Sequence, residues 1–527
     1  MSKKVYITTP IYYPSAQPHI GHLYTTYLAD ALKDYYQLIG YDAYFLTGTD
    51  EHGQKIEQAA KQAQLDPLTY ISQYVEIFQD LWKKMNINYN QFIRTTDPQH
   101  QQTVQKIFQK LEDLDLIYAG TWTGWYCISC EENYTLDKAQ EIDGQWYCVF
   151  GHQLIEQNEP SLFYKISQFQ NWLKTYYQTH DFLFPANRKH ELLNNFIDND
   201  LEDLSVSRTK FQWGIPILSH PDHVIYVWID ALCNYISALG YLTEDDQLFQ
   251  KYWNDPTTKI IHITAKEISR FHAIYWPIIL KSLDLRLFDK LISHGWILMN
   301  NTKMSKSLKN VIDPFFLAQH FPHDGIRYFL LSFSLERDNN FSYHELIANY
   351  NTNIVNTYGN LISRLVGMLK KYTNGQVLHF SLEQLSSPLQ TIEQNLQAFL
   401  TTFPSLVEAD NPKVILERMN QLIVESSKII EILKPWELWK NNEHTPVQQL
   451  LFVLYKLAVI SCFVYQPVLK DSFQQAKTIL GLAGIDLTYQ WLLDHQSWIN
   501  LAINHEVSAI LYQRLELDYF EKLVDNE

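Results

Sequence analysis

The sequence is poor in cysteine and begins without a targeting segment. Only 5 of its 527 residues are cysteine, too few to hold a protein of this size together by disulfides. The first residues lead straight into a β-branched, strand-like pattern, with neither the apolar core of a signal peptide nor an Arg-rich presequence. We therefore expect a cytoplasmic protein.

No uninterrupted apolar stretch is long enough to cross a membrane. The best candidate runs from Leu450 to Tyr465 and contains Lys456 near its middle. It is shorter than the roughly 20 apolar residues that span a bilayer. We interpret it as a buried helix and expect no membrane partner.

Positive charge is also in short supply. The 42 Lys and Arg residues against 58 Asp and Glu give a net charge of −16, so any binding of nucleic acid must use local basic patches. Apolar residues make up 46% and charged residues 19%, a balance that excludes a disordered chain. At typical domain sizes the length predicts about three or four domains.

The N-terminal region alternates between strand and helix patterns. Lys4 to Thr9 and Asp42 to Gly48 are predicted strands, and between them a helix with apolar residues three and four apart begins near Ile20. This order predicts an α/β fold with a doubly wound parallel sheet, in which ligands bind beyond the carboxyl ends of the strands. The loops at residues 10–22 and 47–53 would lie there.

The sheet pattern is then interrupted and resumed. Tyr118 to Pro160 contains short aromatic strands, glycine turns and three of the cysteines, which is typical of an inserted domain. Val224 to Ile229 and Ile260 to Thr264 predict further strands of the sheet. After about Tyr343 the apolar residues follow a helical period almost to the end, which predicts a C-terminal helical bundle.

Two short motifs carry candidate chemistry. His19 and His22 flank Gly21 at the start of the predicted helix, where backbone N–H groups already favour phosphate. Lys303 and Lys306 lie in a polar segment of sequence KMSKS, from which two ammonium groups can reach a polyphosphate. Residues of either kind, taken alone, are commonly surface residues without a catalytic role. Together and in this order they match the HIGH and KMSKS signatures of class I aminoacyl-tRNA synthetases.

Further matches extend over the whole chain, which resembles the methionyl-tRNA synthetase family. These strings are far more specific than either short motif. They are Thr9–Pro14, Thr47–Gly53, Tyr226–Ala231, Arg270–Pro277, Gly359–Arg364 and Lys434–Trp436.

The resemblance implies a reaction in two steps. The carboxylate of L-methionine attacks the α-phosphorus of ATP to give methionyl-adenylate and pyrophosphate, and the methionyl group then passes to the terminal ribose of tRNA(Met). The protein supplies alignment and charge stabilisation rather than a nucleophile. In the family the two histidines and two lysines named above are the catalytic groups, and Mg²⁺ bridges the phosphates.

The resemblance also implies two substrate sites. ATP would lie against Gly21, Ala265, Glu267, Gly295 and Ile297, although Ala265-Lys266-Glu267 departs from the usual Gly-Lys-Asp and weakens the ribose assignment. Aromatic walls suit a polarizable thioether, and the Ile11 N–H and the Tyr235 hydroxyl would donate to its sulfur. The implied methionine-binding residues are Ile11, Tyr13, Asp50, Trp228, Ala231, Leu232, Tyr235, Phe271, His272 and Trp276, with Asp50 holding the ammonium group.

The cysteine cluster offers a metal site. Cys127, Cys130, Cys148 and His152 provide three thiolates and an imidazole, a donor set suited to one structural Zn²⁺. The Cys148–His152 spacing is one residue longer than the common family pattern, so His152 is the least secure ligand, and buried thiols without metal are the alternative. A catalytic zinc is disfavoured, because no ligand lies within the signature motifs.

The C-terminal helices would read the tRNA anticodon. Asn360 and Arg364 share one helix face, and Pro435 precedes Trp436, whose indole could stack on a base. The resemblance places the anticodon against these four residues. We expect a monomer, because the chain lacks the appended barrel with which some family members dimerise.

The domain boundaries that we predict follow from these assignments. The first half of the Rossmann-like catalytic domain spans residues 1–115, the connective insertion with its zinc knuckle 116–220, and the second catalytic half 221–292. The KMSKS loop and stem-contact region spans 293–345, and the α-helical anticodon-binding domain 346–527.

Three alternative functions remain. A synthetase for isoleucine, valine or leucine would need a large editing domain, since a methylene contributes only about 1–3 kcal/mol of discrimination, and the insertion is too short for one. A cysteinyl-tRNA synthetase would need a metal in its amino-acid pocket. A relative that only binds RNA would not need the histidines and lysines of both signatures.

Overall fold

A computed structural model describes residues 3–128, 132–134, 139–149, 151–299, 301–304, 310–499, 501–504 and 506–516. The strands, in chain order, are β1 (Lys4–Thr8), β2 (Asp42–Thr49), β3 (Gln91–Arg94), β4 (Ile117–Cys127), β5 (Glu132–Tyr134), β6 (Gln140–Ile142), β7 (Gln145–Tyr147), β8 (Ile155–Tyr164), β9 (Leu183–Phe184), β10 (Leu204–Ser205), β11 (Ser207–Arg208), β12 (Pro216–Ile217), β13 (His220–Ile225), β14 (Thr258–Ala265), β15 (Lys290–His294), β16 (Ile297–Met299), β17 (Thr302–Lys303), β18 (Asn339–Phe341), β19 (Gln376–Val377) and β20 (Leu501–Ala502).

The α-helices are distributed over the whole described chain and become dominant after residue 343. They are α1 (Ile20–Leu38), α2 (Gln54–Gln62), α3 (Pro67–Lys84), α4 (Pro98–Asp113), α5 (Gln170–Thr179), α6 (Ala186–Leu192), α7 (Val227–Ser237), α8 (Trp276–Ser282), α9 (Pro314–His320), α10 (His323–Leu331), α11 (Tyr343–Asn349), α12 (Asn360–Thr373), α13 (Ser387–Glu408), α14 (Pro412–Leu433), α15 (Pro435–Lys440), α16 (His444–Tyr465), α17 (Phe473–Ile479) and α18 (Tyr489–Leu493).

The central sheet confirms the predicted doubly wound fold. Six strands lie in the order β3-β2-β1-β14-β15-β9, and every neighbouring pair is parallel. The strand order reverses between β1 and β14, so the carboxyl ends of these two strands flank the crevice where such sheets bind ligands. Apolar, β-branched sequences such as Val5 and Ile7 of β1 are fully buried because helices cover both faces.

One predicted strand is only partly correct. The sheet-like sequence from Val224 to Ile229 ends as a strand at Ile225, and Val227 starts helix α7. Nearly every residue of α7 is buried, polar ones such as Asp230 included, so its sequence has no helical period that distinguishes it from a buried strand.

The insertion forms its own small sheets and then returns to the central one. β10, β8, β4 and β5 make a four-stranded antiparallel sheet, and β8 and β4 pair over ten residues of β4 from Ile117 to Tyr126. Leu183 and Phe184 lie inside the predicted insertion, but as β9 they pair with β15 and complete the central sheet.

The C-terminal region is helical, as predicted. Helix α16 is long and apolar enough to cross a membrane by length and composition, but 94% of its most apolar window is buried inside the protein. Lys456, in the middle of that helix, forms an ion pair with Glu393 of α13. The helix therefore forms the core of the bundle, as predicted from its short apolar stretch and the lysine within it.

Buried ion pairs join the bundle to the catalytic domain. Asp30 of α1 accepts hydrogen bonds from Arg327 at 2.5 Å and from Lys470 at 2.6 Å. Although burial opposes ionisation, these two cations lower the pKa of Asp30 to about 2. Helix α1, which has His19 as its N-cap and His22 in its first turn, is thus tied near its middle to charges from the C-terminal half.

Candidate active site

The two loops predicted at the carboxyl ends of the strands lie side by side. The Thr9 N–H donates to the Leu46 carbonyl at 3.1 Å, the Tyr12 N–H to Gly48 at 2.9 Å, and the Asp50 N–H to Tyr12 at 2.9 Å. These bonds continue the parallel pairing of β1 and β2 into the loops. Ile11 and Tyr13, which follow β1, are therefore brought next to Asp50, which follows β2.

His19 and His22 form a stacked pair at the start of α1. Their ring centroids are 3.8 Å apart with an angle of 20° between the rings. The Gly21 N–H donates to His19 Nδ1 at 3.1 Å, and the His19 N–H donates to His22 Nδ1 at 3.2 Å. Because each Nδ1 accepts a backbone proton, each ring carries its own proton on Nε2. The N–H donor of each ring is therefore at Nε2.

Two further observations support this arrangement. Burial and the neighbouring His19 lower the pKa of His22 well below its usual value, which keeps its ring neutral. A Cβ added to Gly21 would lie 2.9 Å from Cε1 of His19, so a side chain there would displace that ring. The glycine of the motif is therefore needed for the histidine pair itself.

The ends of β14 and β15 form the other side of the crevice. Glu267 accepts a hydrogen bond from the Trp296 indole at 2.6 Å, and Lys266 lies 3.9 Å above the Trp296 ring while pairing with Asp338 at 2.7 Å. Ala265 ends β14, next to these groups. The ammonium and the two carboxylates thus fix the indole at the rim of the predicted nucleotide site.

His294, the last residue of β15, and Gly295, which follows it, are closely packed against other segments. A Cβ on Gly295 would lie 2.4 Å from the Arg337 carbonyl oxygen, so only glycine allows this backbone approach. His294 Nδ1 donates to the Gly295 carbonyl at 2.8 Å, and its Nε2 accepts from Thr25 of α1 at 2.8 Å. Ile297 is buried in the adjoining strand β16.

The KMSKS segment is only partly described. Lys303 belongs to β17, whose backbone pairs with Leu298 of β16. Lys306 lies outside the described residues. The backbone of Lys303 thus lies beside Leu298, three residues after Gly295.

The predicted methionine-binding residues line one apolar region. Trp228 stacks on Phe271 with ring centroids 3.6 Å apart and almost parallel planes, at 3°. Tyr235 lies 5.8 Å from both His272 and Trp276, measured between ring centroids. Ala231 and Leu232 of α7 are buried beside them. Phe271 and His272 come from a single π-helical turn, Phe271–Tyr275, a local geometry common at functional sites.

The hydroxyl of Tyr235 has a different role from the one expected. His272 Nδ1 lies 3.0 Å from the Ile268 carbonyl, which can only accept, so Nδ1 carries the proton. Burial lowers the pKa of His272 to about 4, so Nε2 is an acceptor at neutral pH. Tyr235 therefore donates its proton to His272 Nε2, 2.7 Å away, instead of to a thioether sulfur.

Sequence reasoning missed His262, which supports this pocket from β14. Its Nε2 accepts from the Trp276 indole at 3.2 Å, and its Nδ1 donates to the Thr8 hydroxyl at 2.7 Å. The ring is fully buried 4.3 Å from Tyr235. The apolar strand pattern around His262 carried no sign of this role beyond the histidine itself.

Two of these buried histidines predict a pH-dependent stability. Burial lowers the pKa of His272 and of His294 to about 4, below the roughly 6.5 of an unfolded chain. The stability that their neutral forms provide is complete above pH 6.5 and is lost as the pH falls toward 4. At pH 5 we expect the contribution of each histidine to the unfolding free energy of the protein to be about 2 kcal/mol smaller than at pH 7.5. Urea unfolding at pH 7.5 and pH 5 measures this difference. A His294→Gln variant should show correspondingly less pH dependence, and an unchanged difference between the two pH values would refute the assignment.

Three predicted metal ligands meet in the insertion. The ligand atoms of Cys127, Cys148 and His152 all lie within 4.8 Å of one another. Both cysteines are buried and His152 is exposed, and the Gly151 N–H donates to the Cys148 carbonyl at 2.8 Å to form the turn between them. Two thiols and an imidazole suit a tetrahedral Zn²⁺. Cys130, the fourth predicted ligand, lies outside the described residues.

The predicted anticodon residues lie at one end of the bundle. Asn360 begins α12 and is exposed, and Arg364, one turn later, donates to Glu431 of α14 at 2.6 Å. Glu431 lies near the end of α14, just before Lys434, which adopts a left-handed conformation with φ of 45°. The chain then enters α15 with Pro435 buried and Trp436 43% exposed. The ion pair thus links the helix of Arg364 to the segment of Trp436.

Comparisons with known proteins agree with this arrangement. A family profile described as "tRNA synthetases class I (M)" matches residues 5–366. The chain is 46% identical to the methionine–tRNA ligase of Ureaplasma parvum serovar 3, over 90% of this chain and 91% of that protein. It is 41% identical to the methionine–tRNA ligase of Mycoplasma pneumoniae, over 98% of this chain and 100% of that one.

A solved structure is similar over nearly the whole fold. It is that of the Mycobacterium tuberculosis methionyl-tRNA synthetase in complex with methionyl-adenylate. The TM-score is 0.90 and the sequences are 31% identical, over 96% of this chain and 99% of that one.

Proposed function

The chain belongs to the methionyl-tRNA synthetase family of class I synthetases, and from that premise we propose how its own residues perform the family's reaction. It is a methionine–tRNA ligase, which activates L-methionine with ATP to methionyl-adenylate and pyrophosphate and transfers the methionyl group to tRNA. The observation that carries the residue assignment is the stacked His19–His22 pair at the start of α1, the helix that follows β1 at the reversal point of the sheet.

The proposed adenylate step relies on fixed donors. The Nε2–H groups of His19 and His22 face the phosphates of ATP and stabilise the charge that develops on the leaving pyrophosphate. Lys303 and Lys306 add positive charge to the same phosphates. Because the methionine carboxylate is itself the nucleophile, these groups need only align the reactants and neutralise charge.

The proposed nucleotide contacts lie along β14 and β15. ATP would rest against Gly21, Ala265, Gly295 and Ile297, with Glu267 at the ribose. The contact between Glu267 and the Trp296 indole orients this carboxylate and supports its role, although the segment departs from the Gly-Lys-Asp of the family. Mg²⁺, when bound, would neutralise phosphate oxygens.

Methionine selection is proposed to rest on shape and one backbone donor. The Ile11 N–H has no backbone acceptor among the residues that the structure describes, so it is available to a thioether sulfur. The Tyr235 hydroxyl does not donate to the sulfur, since its proton is used in the hydrogen bond to His272. The sulfur is therefore held by stacked aromatic walls, with Asp50 at the ammonium group.

We propose one structural Zn²⁺ per chain, held by Cys127, Cys148 and His152 together with Cys130. Elemental analysis of the purified protein should give one zinc per chain, and Cys148→Ala should lose it because a thiolate ligand is removed. The matched control is Cys233→Ala, a buried cysteine in α7 outside the cluster, which should keep its zinc. Equal zinc in both variants would refute the site.

The proposed partner in the second step is tRNA(Met), read at its anticodon by Asn360, Arg364, Pro435 and Trp436. We propose that the enzyme acts as a monomer in the cytoplasm, where tRNA charging serves protein synthesis. Light scattering at twice 62.2 kDa would overturn the monomer.

ATP–pyrophosphate exchange with each of the twenty amino acids tests this function. Exchange with methionine alone is expected. Exchange with cysteine or leucine instead would overturn the assignment of the amino-acid pocket, and the protein would still be a class I synthetase. No exchange with any amino acid would indicate a relative that only binds RNA.

A further inference from the structure

A single buried carboxylate joins the loop of Asp50 to the helix that walls the methionine pocket. Asp230 of α7 is completely buried. Its Oδ2 lies 2.6 Å from Nδ1 of His52, which follows Asp50 by two residues. Its Oδ1 lies 2.6 Å from Nε2 of His100 in α4. Three separate elements therefore meet at one charge.

The two hydrogen bonds to the carboxylate have a defined direction. A carboxylate accepts, so both imidazoles donate to Asp230, and Nδ1 of His100 lies 2.7 Å from the Ser237 hydroxyl on its other side. Burial alone would raise the pKa of Asp230, but the two imidazoles lower it below its usual value. The charge of Asp230 is thus retained inside the protein, and each oxygen has one donor.

The residue on the other side of Asp50 is fixed as well. Glu51 is completely buried and accepts two hydrogen bonds from Arg94 of β3, both at 2.8 Å. Asp50 itself is partly accessible, and its N–H is bonded to Tyr12. Asp50 therefore lies between two anchored neighbours, one tied to β3 and the other to α7.

The link to α7 is the one that matters for the substrate. Trp228, Ala231 and Leu232, which line the proposed pocket, lie within two residues of Asp230 on the same helix. A side chain at Asp230 that holds His52 thus fixes the distance between the loop of Asp50 and the wall that contacts the methionine side chain.

Stability alone does not account for this cluster. Buried ion pairs are often replaceable by apolar residues of similar size without loss of stability, because desolvation offsets their attraction. A hydrogen bond is directional, however, so the bond between His52 and Asp230 relates the loop to α7 in one orientation, as an apolar contact would not.

We propose that Asp230, acting through His52 and supported by His100, is a positioning residue that sets Asp50 at the distance from α7 where it receives the ammonium group of methionine. This inference rests on the proposed function. It predicts that the cluster governs recognition of the amino group specifically and leaves the ATP site unaffected.

The test compares two ligands that differ only in the amino group. Dissociation constants for methionine and for its deamino analogue, 4-(methylthio)butanoate, are measured by equilibrium dialysis, and the KM for ATP by pyrophosphate exchange. The preference of the wild type for methionine is expected to fall by roughly tenfold or more in His52→Phe. In His52→Asn, whose amide nitrogen can take the position of Nδ1 and donate to Asp230, much of it should return, and the KM for ATP should stay within about twofold in both.

Two controls separate positioning from general damage. Glu393→Gln weakens the buried Glu393–Lys456 pair in the bundle, so it should lower the melting temperature without changing the preference for the amine. Asp50→Asn should abolish that preference.

The outcomes distinguish this inference from the proposed function. If Asp50→Asn loses the amine preference while His52→Phe keeps it, the positioning role is refuted and the function stands. If Asp50→Asn keeps it, the ammonium assignment of Asp50 fails and the inference fails with it. A wild type without methionine-dependent exchange would overturn the function itself.

Discussion

Replacing His22 with leucine is expected to slow methionine-dependent ATP–pyrophosphate exchange by roughly 100-fold or more. The imidazole is neutral and its Nδ1 is occupied by the His19 N–H, so Nε2–H is the group that remains for the phosphates. Leucine supplies neither the donor nor the acceptor for the His19 backbone. The loss should lie in the rate of exchange at saturating substrates, because the donor stabilises charge that develops in the transition state.

Three variants make this result interpretable. His22→Asn keeps an acceptor for the His19 N–H and an amide donor, so it should lose less activity than His22→Leu. Gly21→Ala should resemble the leucine variant, because its Cβ would push against the His19 ring. The matched control is His190→Leu, an exposed histidine in α6, which should exchange at the wild-type rate. An unaltered rate in His22→Leu would remove this residue from the mechanism.

The doubly wound parallel sheet could be predicted from the sequence because its signals are local. β1, α1 and β2 each have a periodicity of their own, and their order along the chain is sufficient to predict a doubly wound sheet. The first turn of α7 could not be predicted in this way. Val227, Trp228 and Ile229 lie in a helix that is buried on nearly all sides, where period carries no information.

In the site, too, the residues that are close in sequence could be predicted, and those that only the fold brings together could not. The residues of the two signature motifs are neighbours in sequence and could be recognised there. Asp230 and His52 are 178 residues apart, and His262 meets Thr8 across 254 residues, so only the folded chain brings them together. The direction of a hydrogen bond is still harder to predict from the sequence, because it depends on the other partners of each group. That Tyr235 donates to His272 follows from the Ile268 carbonyl, which no pattern in the sequence relates to either ring.

The proposed anticodon site and the proposed activation site lie on separate elements, so one substitution should impair tRNA charging and leave methionine activation intact. Trp436→Ala should lower the efficiency of tRNA charging and leave ATP–pyrophosphate exchange unchanged. Its indole is 43% exposed beyond the end of α14, whereas Trp439, one turn later, packs on Tyr372 with ring centroids 5.0 Å apart. Stacking of a base on an aromatic ring contributes about 1–3 kcal/mol, so kcat/KM for tRNA should fall roughly 5- to 150-fold.

The comparison that decides this assignment uses an equally exposed aromatic residue elsewhere. Tyr118 in β4 is 40% exposed and lies in the insertion, so Tyr118→Ala removes similar surface far from the bundle and should charge tRNA normally. Trp436→Phe keeps an aromatic face and should recover much of the loss, since stacking does not require the indole nitrogen. Equal losses of charging and exchange in Trp436→Ala would show that the indole supports the fold. The anticodon-binding site would then lie elsewhere on the bundle.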